Sequence, residues 1–416
     1  MHTLPSGREF NSTPARANVI VLNQILNLIP CHLIGRHARE TGVEGKARTF
    51  SVKSHLAAML FAQLSHAMGL NDVCDWFRLK AKALARFGVT PPSRNALSHA
   101  NKERDALFIE KLFWSVLGHC QHACPSFAAG KKGKGLLRRF KVRIHAEDST
   151  VIQLVASCMD WAKHRRRKAA AKMHLRLDLH SFLPSFAVVD TAAQHDCARA
   201  REVCAGILAG EIVVFDKAYV DFLHLLDLAL RGVWWVTRAK ENLKWRAVRN
   251  LTKGHTNILR DQIVSLEGRH KGMQVRRVEA WVEVDGEWRV MVFMTNNFEW
   301  SPQSVCDLYR RRWDIEVFFK QVKQSLRLSN FMGQSANAVR WQVYAALLVY
   351  VLLRFMAHLS DWAHSFTRLF AVTRSALWER LDLNALLRSH GTASGRMRVI
   401  GALDQAWLPG FVSIRT

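Results

Sequence analysis

Three strand-like segments follow one another between Val142 and Val189, and this succession limits the fold more than any other feature of the chain. Val142 to Leu154 alternates and is rich in β-branched residues. Lys172 to Leu179 puts Met173, Leu175, Leu177 and Leu179 at every second position, and Phe186 to Val189 is a short apolar run after Pro184. The pattern then changes. A helical stretch around Ala198 to Leu208 precedes a wholly apolar strand, Ile212 to Phe215, and a helical Val220 to Leu230 precedes another strand, Val233 to Thr237. Strands that alternate with helices after three strands in succession predict a mixed α/β sheet.

Both flanks of this core read differently. Val19 to about Cys124 carries apolar residues at three- and four-residue steps, with breaks at Pro30, at Gly42 to Gly45 and at Pro91-Pro92, and is expected to be all helical. After the core, Ile263 to Leu266, Met273 to Val278, Trp281 to Val284 and Trp288 to Met294 read as strands, the last two joined by an Asp285-Gly286 turn. One long helix is expected from Pro302 to Leu328, with more helix over Trp341 to His358 and Arg368 to Leu387. The division that follows is a flexible leader (1–18), a helical N-terminal domain suited to DNA binding (19–125), a basic linker (126–141), the first part of the core (142–239), a β-rich insertion (240–296), the rest of the core with its long helix (297–335), and a helical C-terminal region (336–416).

Charge narrows the function. With 60 Lys and Arg against 34 Asp and Glu the formal charge is +26, which favours a polyanionic partner, nucleic acid first and an anionic membrane surface second. The longest apolar run, Val343 to Leu353, is 11 residues, short of the roughly 20 that span a bilayer, so it is expected to be a buried helix and no membrane partner is expected. Residues 1–17 lack the apolar centre of a signal peptide, and the eight cysteines are dispersed as reduced thiols would be; the expected location is the cytoplasm, at the nucleoid. Cations concentrate at Lys131 to Arg143 and at Lys163 to Lys168, the latter including Arg165, Arg166 and Arg167, where a solvated hairpin and a DNA-backbone contact are both open readings. Ser93 to Asn101 enters a polar helix with Arg94, His99, Lys102 and Arg104, either a helix-turn-helix reader or a solvated basic helix. His119, Cys120, His122 and Cys124 are too compact for a tetrahedral zinc site and read as a helix end with incidental donors.

The sharpest local pattern is Tyr309, Arg312, Glu316 and Lys323. On a continuous helix these fall within roughly a 60° arc, beside an apolar arc of Leu308, Ile315, Phe318, Phe319, Val322 and Leu326. From residue types alone, Glu316 among Arg312, Lys320, Lys323 and Arg327 could equally be a surface ion-pair network. The spacing, however, resembles the signature of DDE transposases of bacterial insertion-sequence family four. Asp148, in His145-Ala-Glu-Asp-Ser-Thr, and Asp216, in Val213-Val-Phe-Asp-Lys-Ala-Tyr, stand where that family keeps its aspartates, in the first core strand and at the end of the fourth. The resemblance covers roughly Val142 to Leu328 and extends weakly into the N-terminal helices.

What the resemblance implies is specific. The fold would be α/β, a ribonuclease H-like mixed sheet interrupted by a β-rich insertion and flanked by all-helical N- and C-terminal domains. The activity would be metal-dependent cut-and-paste transposition: strand cleavage at the element's ends, a hairpin step, then strand transfer into target DNA. Asp148, Asp216 and Glu316 would be the catalytic and metal-binding acids, holding two Mg²⁺ ions, or Mn²⁺, roughly 3.5 to 4 Å apart. Tyr309, Arg312 and Lys323 would contact transposon-end phosphates, with Lys320, Arg327 and Arg165 to Arg167 as further DNA contacts. A flipped terminal base would stack on an aromatic residue of the insertion. Counting back from Tyr309 puts Met291 at that position, so Trp288 is the first stacking candidate and Trp300 the second, against the alternative that each is core. Glu147 should face the opposite side of its strand from Asp148, and Asp221 and Asp314 are assigned structural or surface roles. The family's logic also implies a homodimer holding two ends. The competing functions are a non-catalytic DNA-binding protein derived from a transposase and a metal-dependent nuclease without strand transfer.

Overall fold

The computed structural model describes residues 19–45, 49–130, 139–154, 158–165, 168–191, 196–251, 257–268, 272–284, 286–326 and 331–389. It divides into two compact units, residues 118–343 and residues 1–117 together with 344–416. The leader, half of the basic linker (131–138), Arg166, Arg167, Asp285, Arg327 and the C-terminal tail from residue 390 fall outside the described residues.

The unit 118–343 is built on one ten-stranded sheet. Its strands are β1 (Ile144–Leu154), β2 (Lys163–Arg165), β3 (Lys168–Asp178), β4 (Leu183–Thr191), β5 (Ile212–Phe215), β6 (Trp234–Arg238), β7 (Trp245–Asn250), β8 (Ile258–Leu266), β9 (Gln274–Val284) and β10 (Glu287–Thr295). They lie in the order β2-β3-β1-β5-β6-β10-β9-β8-β7, with β4 also paired to β3. β3 is antiparallel to both β1 and β4, and a short turn joins it to β4. β5 runs parallel to β1, and β6 parallel to β5. Each parallel step needs a crossover, supplied by the helices Asp196–Val203 and Phe222–Leu230. All four residues of β5 are buried, as the centre of a sheet covered on both faces requires.

The β-rich segment does not fold aside. β10 pairs antiparallel with β6, and β9, β8 and β7 continue outward from it. Two strands expected separately, Met273 to Val278 and Trp281 to Val284, are the single strand β9. The polar Glu279 that broke the apolar pattern is held at 2.9 Å by Arg277, so the strand passes through it. β7 was not legible because its side chains are mostly exposed and Arg246 and Arg249 interrupt its apolar residues, leaving no apolar alternation to read.

The long helix expected from Pro302 to Leu328 is instead two, Pro302–Arg310 and Trp313–Ser325. Between them the backbone tightens into i to i+3 bonds. The Arg311 and Arg312 amides donate to the Leu308 and Tyr309 carbonyls, and those of Asp314 and Ile315 to Arg311 and Arg312. The apolar arc nevertheless packs as expected, with Leu308, Ile315, Phe318, Phe319, Val322 and Leu326 all buried.

The other unit is helical. Its centre is the helix Val52–Ser65, buried on nearly every side and capped by the Ser51 hydroxyl, which accepts from the Ser54 amide at 3.0 Å. Val21 and Leu22 donate to the Glu379 and Leu377 carbonyls, and Ile20 bridges Arg380. The first and last helical segments, expected as separate flanks, therefore belong to one unit. The helix Ala336–Leu359 is the only described helix long and apolar enough to cross a membrane, and Val343 to Leu353 within it are each 1% exposed or less, so it is a core helix. The stretch Arg368 to Leu387 holds two helices, Phe366–Ser375 and Leu383–Ser389.

Candidate active site

Asp148 lies within β1 and Asp216 directly follows β5. The parallel register sets Glu147 beside Phe215, so Asp148 and Asp216 are the next residues along neighbouring chains, and the charge of Asp216 acts on Asp148. Asp216 ends its strand by capping the following turn, Lys217–Tyr219, with its carboxylate accepting from the Ala218 amide at 3.1 Å. Alternation turns Glu147 into the opposite face, where it is fully buried and its Oε2 accepts from the Cys204 thiol at 2.9 Å. Asp221 caps the helix Phe222–Leu230 and Asp314 pairs with Arg311 at 2.6 Å.

The helix Trp313–Ser325 packs on β1 and carries Glu316 in its first turn, where the free amides of a helix start favour an anion. Arg312, immediately before it, forks between two acids. Its Nη1 donates to Asp148 Oδ2 at 3.0 Å and its Nη2 to Glu316 Oε1 at 2.6 Å. Tyr309 stands one tight turn earlier, its ring 4.9 Å from that of Phe293, the Arg312 guanidinium 5.9 Å over it, and its hydroxyl reaching Asp216 Oδ2 at 3.5 Å. Residues from two strands and two helices thus form one connected set, Asp216 to Tyr309 to Arg312 to Asp148 and Glu316.

Burial sets the electrostatics. It pushes the Asp148 carboxyl up to about 6, and the charges of Asp216 and Glu316 act the same way, against the Ser149 amide at 2.7 Å and Arg312. Burial and Asp216 likewise push the Tyr309 phenol up to about 12, so it remains a donor. Burial opposes the charge on Arg312, but the Glu316 bond and the surrounding acids outweigh it and raise the guanidinium further. Lys323, half-buried, is lowered by burial. Three carboxylates around one guanidinium leave two negative charges among these groups.

The chemistry of this donor set fits a divalent cation: hard oxygen ligands from three elements, with an excess of negative charge that raises one of them. Among the described residues no three His, Cys, Asp or Glu side chains already stand as a metal cage; Arg312 spans Asp148 and Glu316 instead.

The remaining residues named from sequence are more scattered. Lys320 is exposed on the same helix, and Arg165 is the last residue of β2. Trp288 is 62% exposed, five positions along β10 from Phe293, roughly 17 Å, and on the other face by alternation. Trp300 is partly buried and packs edge-on against Phe140 and Trp234. Met291 lines a cavity of about 450 Å³ with Arg238, Trp245, Arg277 and Arg289. Sequence reading missed Arg238, the last residue of β6, whose charge acts on Tyr309. The signal was available: like Asp216, it closes a central parallel strand.

Comparison with known proteins covers the same core strands and both helices of the site. Residues 142–352 match the family described as Transposase DDE domain, and residues 18–90 match one described as a domain of unknown function, DUF4372. A Sinorhizobium fredii protein named as transposase y4zB is 28% identical over 71% of this chain and 81% of its own length. A Geobacillus stearothermophilus protein, named as a probable transposase for insertion sequence element IS5377, is 25% identical over 77% of this chain and 80% of its own. The transposase InsG for insertion sequence element IS4 of Escherichia coli is 24% identical over 44% of this chain and 43% of its own.

Proposed function

The chain belongs to the transposase DDE-domain family, insertion-sequence enzymes that cleave DNA and transfer strands, and on that premise we propose that Asp148, Asp216 and Glu316 are its catalytic acids. The observation that carries this assignment is the Arg312 fork, which ties Asp148 to Glu316 while Tyr309 ties in Asp216. We read the order β4-β3-β1-β5-β6, with acids on β1 and after β5, as a ribonuclease H-like core (142–239 and 297–335) extended by the β insertion (240–296).

The family is divalent-metal dependent; in our reading the ions are Mg²⁺, with Mn²⁺ as substitute, two per site, and Asp148, Asp216 and Glu316 hold them. When bound, such ions activate the attacking oxygen and offset charge on the leaving oxygen. The protein's own groups do the rest. Asp148, disfavoured as an isolated anion, gains most from a cation and is kept in place by the Ser149 amide. Arg312, always charged, is a planar two-pronged donor that can exchange its carboxylates for phosphate oxygens. Tyr309 offers a phenolic hydrogen bond beside Asp216, and Lys320 and Lys323 extend the cationic track for element-end DNA. Two copies would hold two ends, and the released 3′-hydroxyl would attack target DNA. The cytoplasm, at the nucleoid, is where that DNA is met.

A supercoiled plasmid bearing the inverted repeats that flank this gene tests the reading. The expected result in Mg²⁺ is paired cuts bounding the repeats, followed by joined products. Random nicks would replace the reading by a plain nuclease, and binding without cutting by a non-catalytic DNA-binding protein.

A further inference from the structure

Two of the three candidate acids already hold a cation, and it is one of the protein's own. The Arg312 guanidinium spans them, with Nη1 on Asp148 Oδ2 at 3.0 Å and Nη2 on Glu316 Oε1 at 2.6 Å. One oxygen of each carboxylate is therefore taken. The pair is also well enclosed, the Arg312 side chain being 13% exposed and that of Asp148 18%. Charge-assisted bonds drawn out of water are strong, and a divalent ion shared by those two oxygens has to compete with the fork for them. Among the described residues the acids are accordingly grouped around a guanidinium and not as a metal cage.

The fork is nevertheless built to be given up. Arg312 Nε is buried and makes no hydrogen bond, so one donor of the guanidinium is unsatisfied in this arrangement. The backbone of Arg312 lies in the tight turn between the helices Pro302–Arg310 and Trp313–Ser325, so its side chain can turn away without unwinding either one. A phosphate suits the same guanidinium, since it offers two oxygens to one planar fork and is not tied to the protein. The surroundings draw such an anion in. Lys320 is exposed and Lys323 half-buried on the helix that Arg312 precedes, and the Tyr309 hydroxyl stands on its other side.

We propose that Arg312 is a latch that weakens metal binding until DNA arrives. Without DNA the guanidinium stands in for the divalent ion and lowers the affinity of Asp148 and Glu316 for it. When a DNA phosphate draws Arg312 off, both carboxylates are released together. The inference rests on the assignment of these acids as the metal site and adds a coupling to it. DNA and metal should each raise the other's affinity by the same factor, about 5- to 150-fold for sites linked in this way. The consequence is an enzyme that assembles its reactive centre on DNA and holds few ions away from it.

The test is Mn²⁺ binding by the full-length protein, read as loss of the free-ion signal in electron paramagnetic resonance. It is run with and without a saturating, pre-cut duplex of the flanking inverted repeat, and the duplex alone is subtracted. The duplex should tighten Mn²⁺ binding to the wild type by about tenfold or more. Arg312→Met should bind Mn²⁺ tightly without DNA and gain little from the duplex. Arg312→Lys keeps the charge but cannot fork, and should fall between the two; a Lys variant that matches the wild type would show that only the charge counts and would overturn the latch. The wild-type comparison stands whether or not the variants fold. Mn²⁺ that binds the wild type equally with and without duplex, yet is lost in Asp148→Asn, would overturn the latch and keep the acids. Mn²⁺ binding that Asp148→Asn leaves unchanged would overturn both.

Discussion

Asp148→Asn should make the metal-free protein more stable at neutral pH. The folded protein holds the Asp148 carboxyl at about 6, against an ordinary 3.8, which is worth about 3 kcal/mol against its ionised form. The sign follows from proton uptake. Between about pH 4 and 6 the folded chain binds the proton that the unfolded chain has released, so stability falls as pH rises through that window and stays lower above it. Below about pH 4 the contribution vanishes. The amide keeps the shape and an acceptor for the Ser149 amide, but turns an imperfect partner toward Arg312, so a gain of about 1–3 kcal/mol is expected at pH near 7.5 and none near pH 4. Urea unfolding in EDTA at both pH values, wild type beside variant, reads it directly. Added Mg²⁺ should stabilise the wild type at the higher pH and not the variant. A variant no more stable than wild type at pH near 7.5, or equally favoured at both pH values, would refute the claim that burial of this carboxyl is stored at the site.

Arg276→Met should be among the most destabilising substitutions in the sheet: Arg276 and Asp261 are 3% and 0% exposed and paired at 2.8 Å, and leaving the acid buried alone costs about 3–5 kcal/mol, measurable by urea midpoint. Tyr309→Phe retains the packing on Phe293 and loses only the long bond to Asp216, so cleavage should fall by about tenfold or less, whereas Tyr309→Ala should fall further; equal rates for the two variants would mean the ring has no positioning role. Affinity for element ends should drop steeply with salt, by a slope of about −0.9 per neutralised phosphate, and Lys320→Ala with Lys323→Ala should lower that slope by about two.

The core strands were legible because β1, β3 and β5 each carry a local signal, alternating or running apolar. Asp148 and Asp216 were singled out by the resemblance, which no strand pattern alone supplies. What was not legible depends on contacts distant in sequence. Glu279 looks like a break until Arg277 and Arg260 are seen beside it. The tight turn at Arg311-Arg312 leaves no trace in a helical pattern, since both residues favour helix, yet it aims Arg312 at Asp148, 164 positions away. The union of the segments around Val21 and Glu379 likewise turns on backbone bonds that periodicity cannot announce.

The central claim is that Asp148, Asp216 and Glu316 act as one unit on DNA phosphodiesters, and the most direct measurement is strand cleavage of an end-bearing duplex by the amide variants, with end binding read in the same gel. Asp148→Asn, Asp216→Asn and Glu316→Gln should each bind ends and cut none in Mg²⁺, with double variants no worse than single ones because the acids work together. Glu147→Gln, altered on the opposite face of the same strand, should keep binding and cutting. Substantial cleavage by any one of the three single variants would contradict the account.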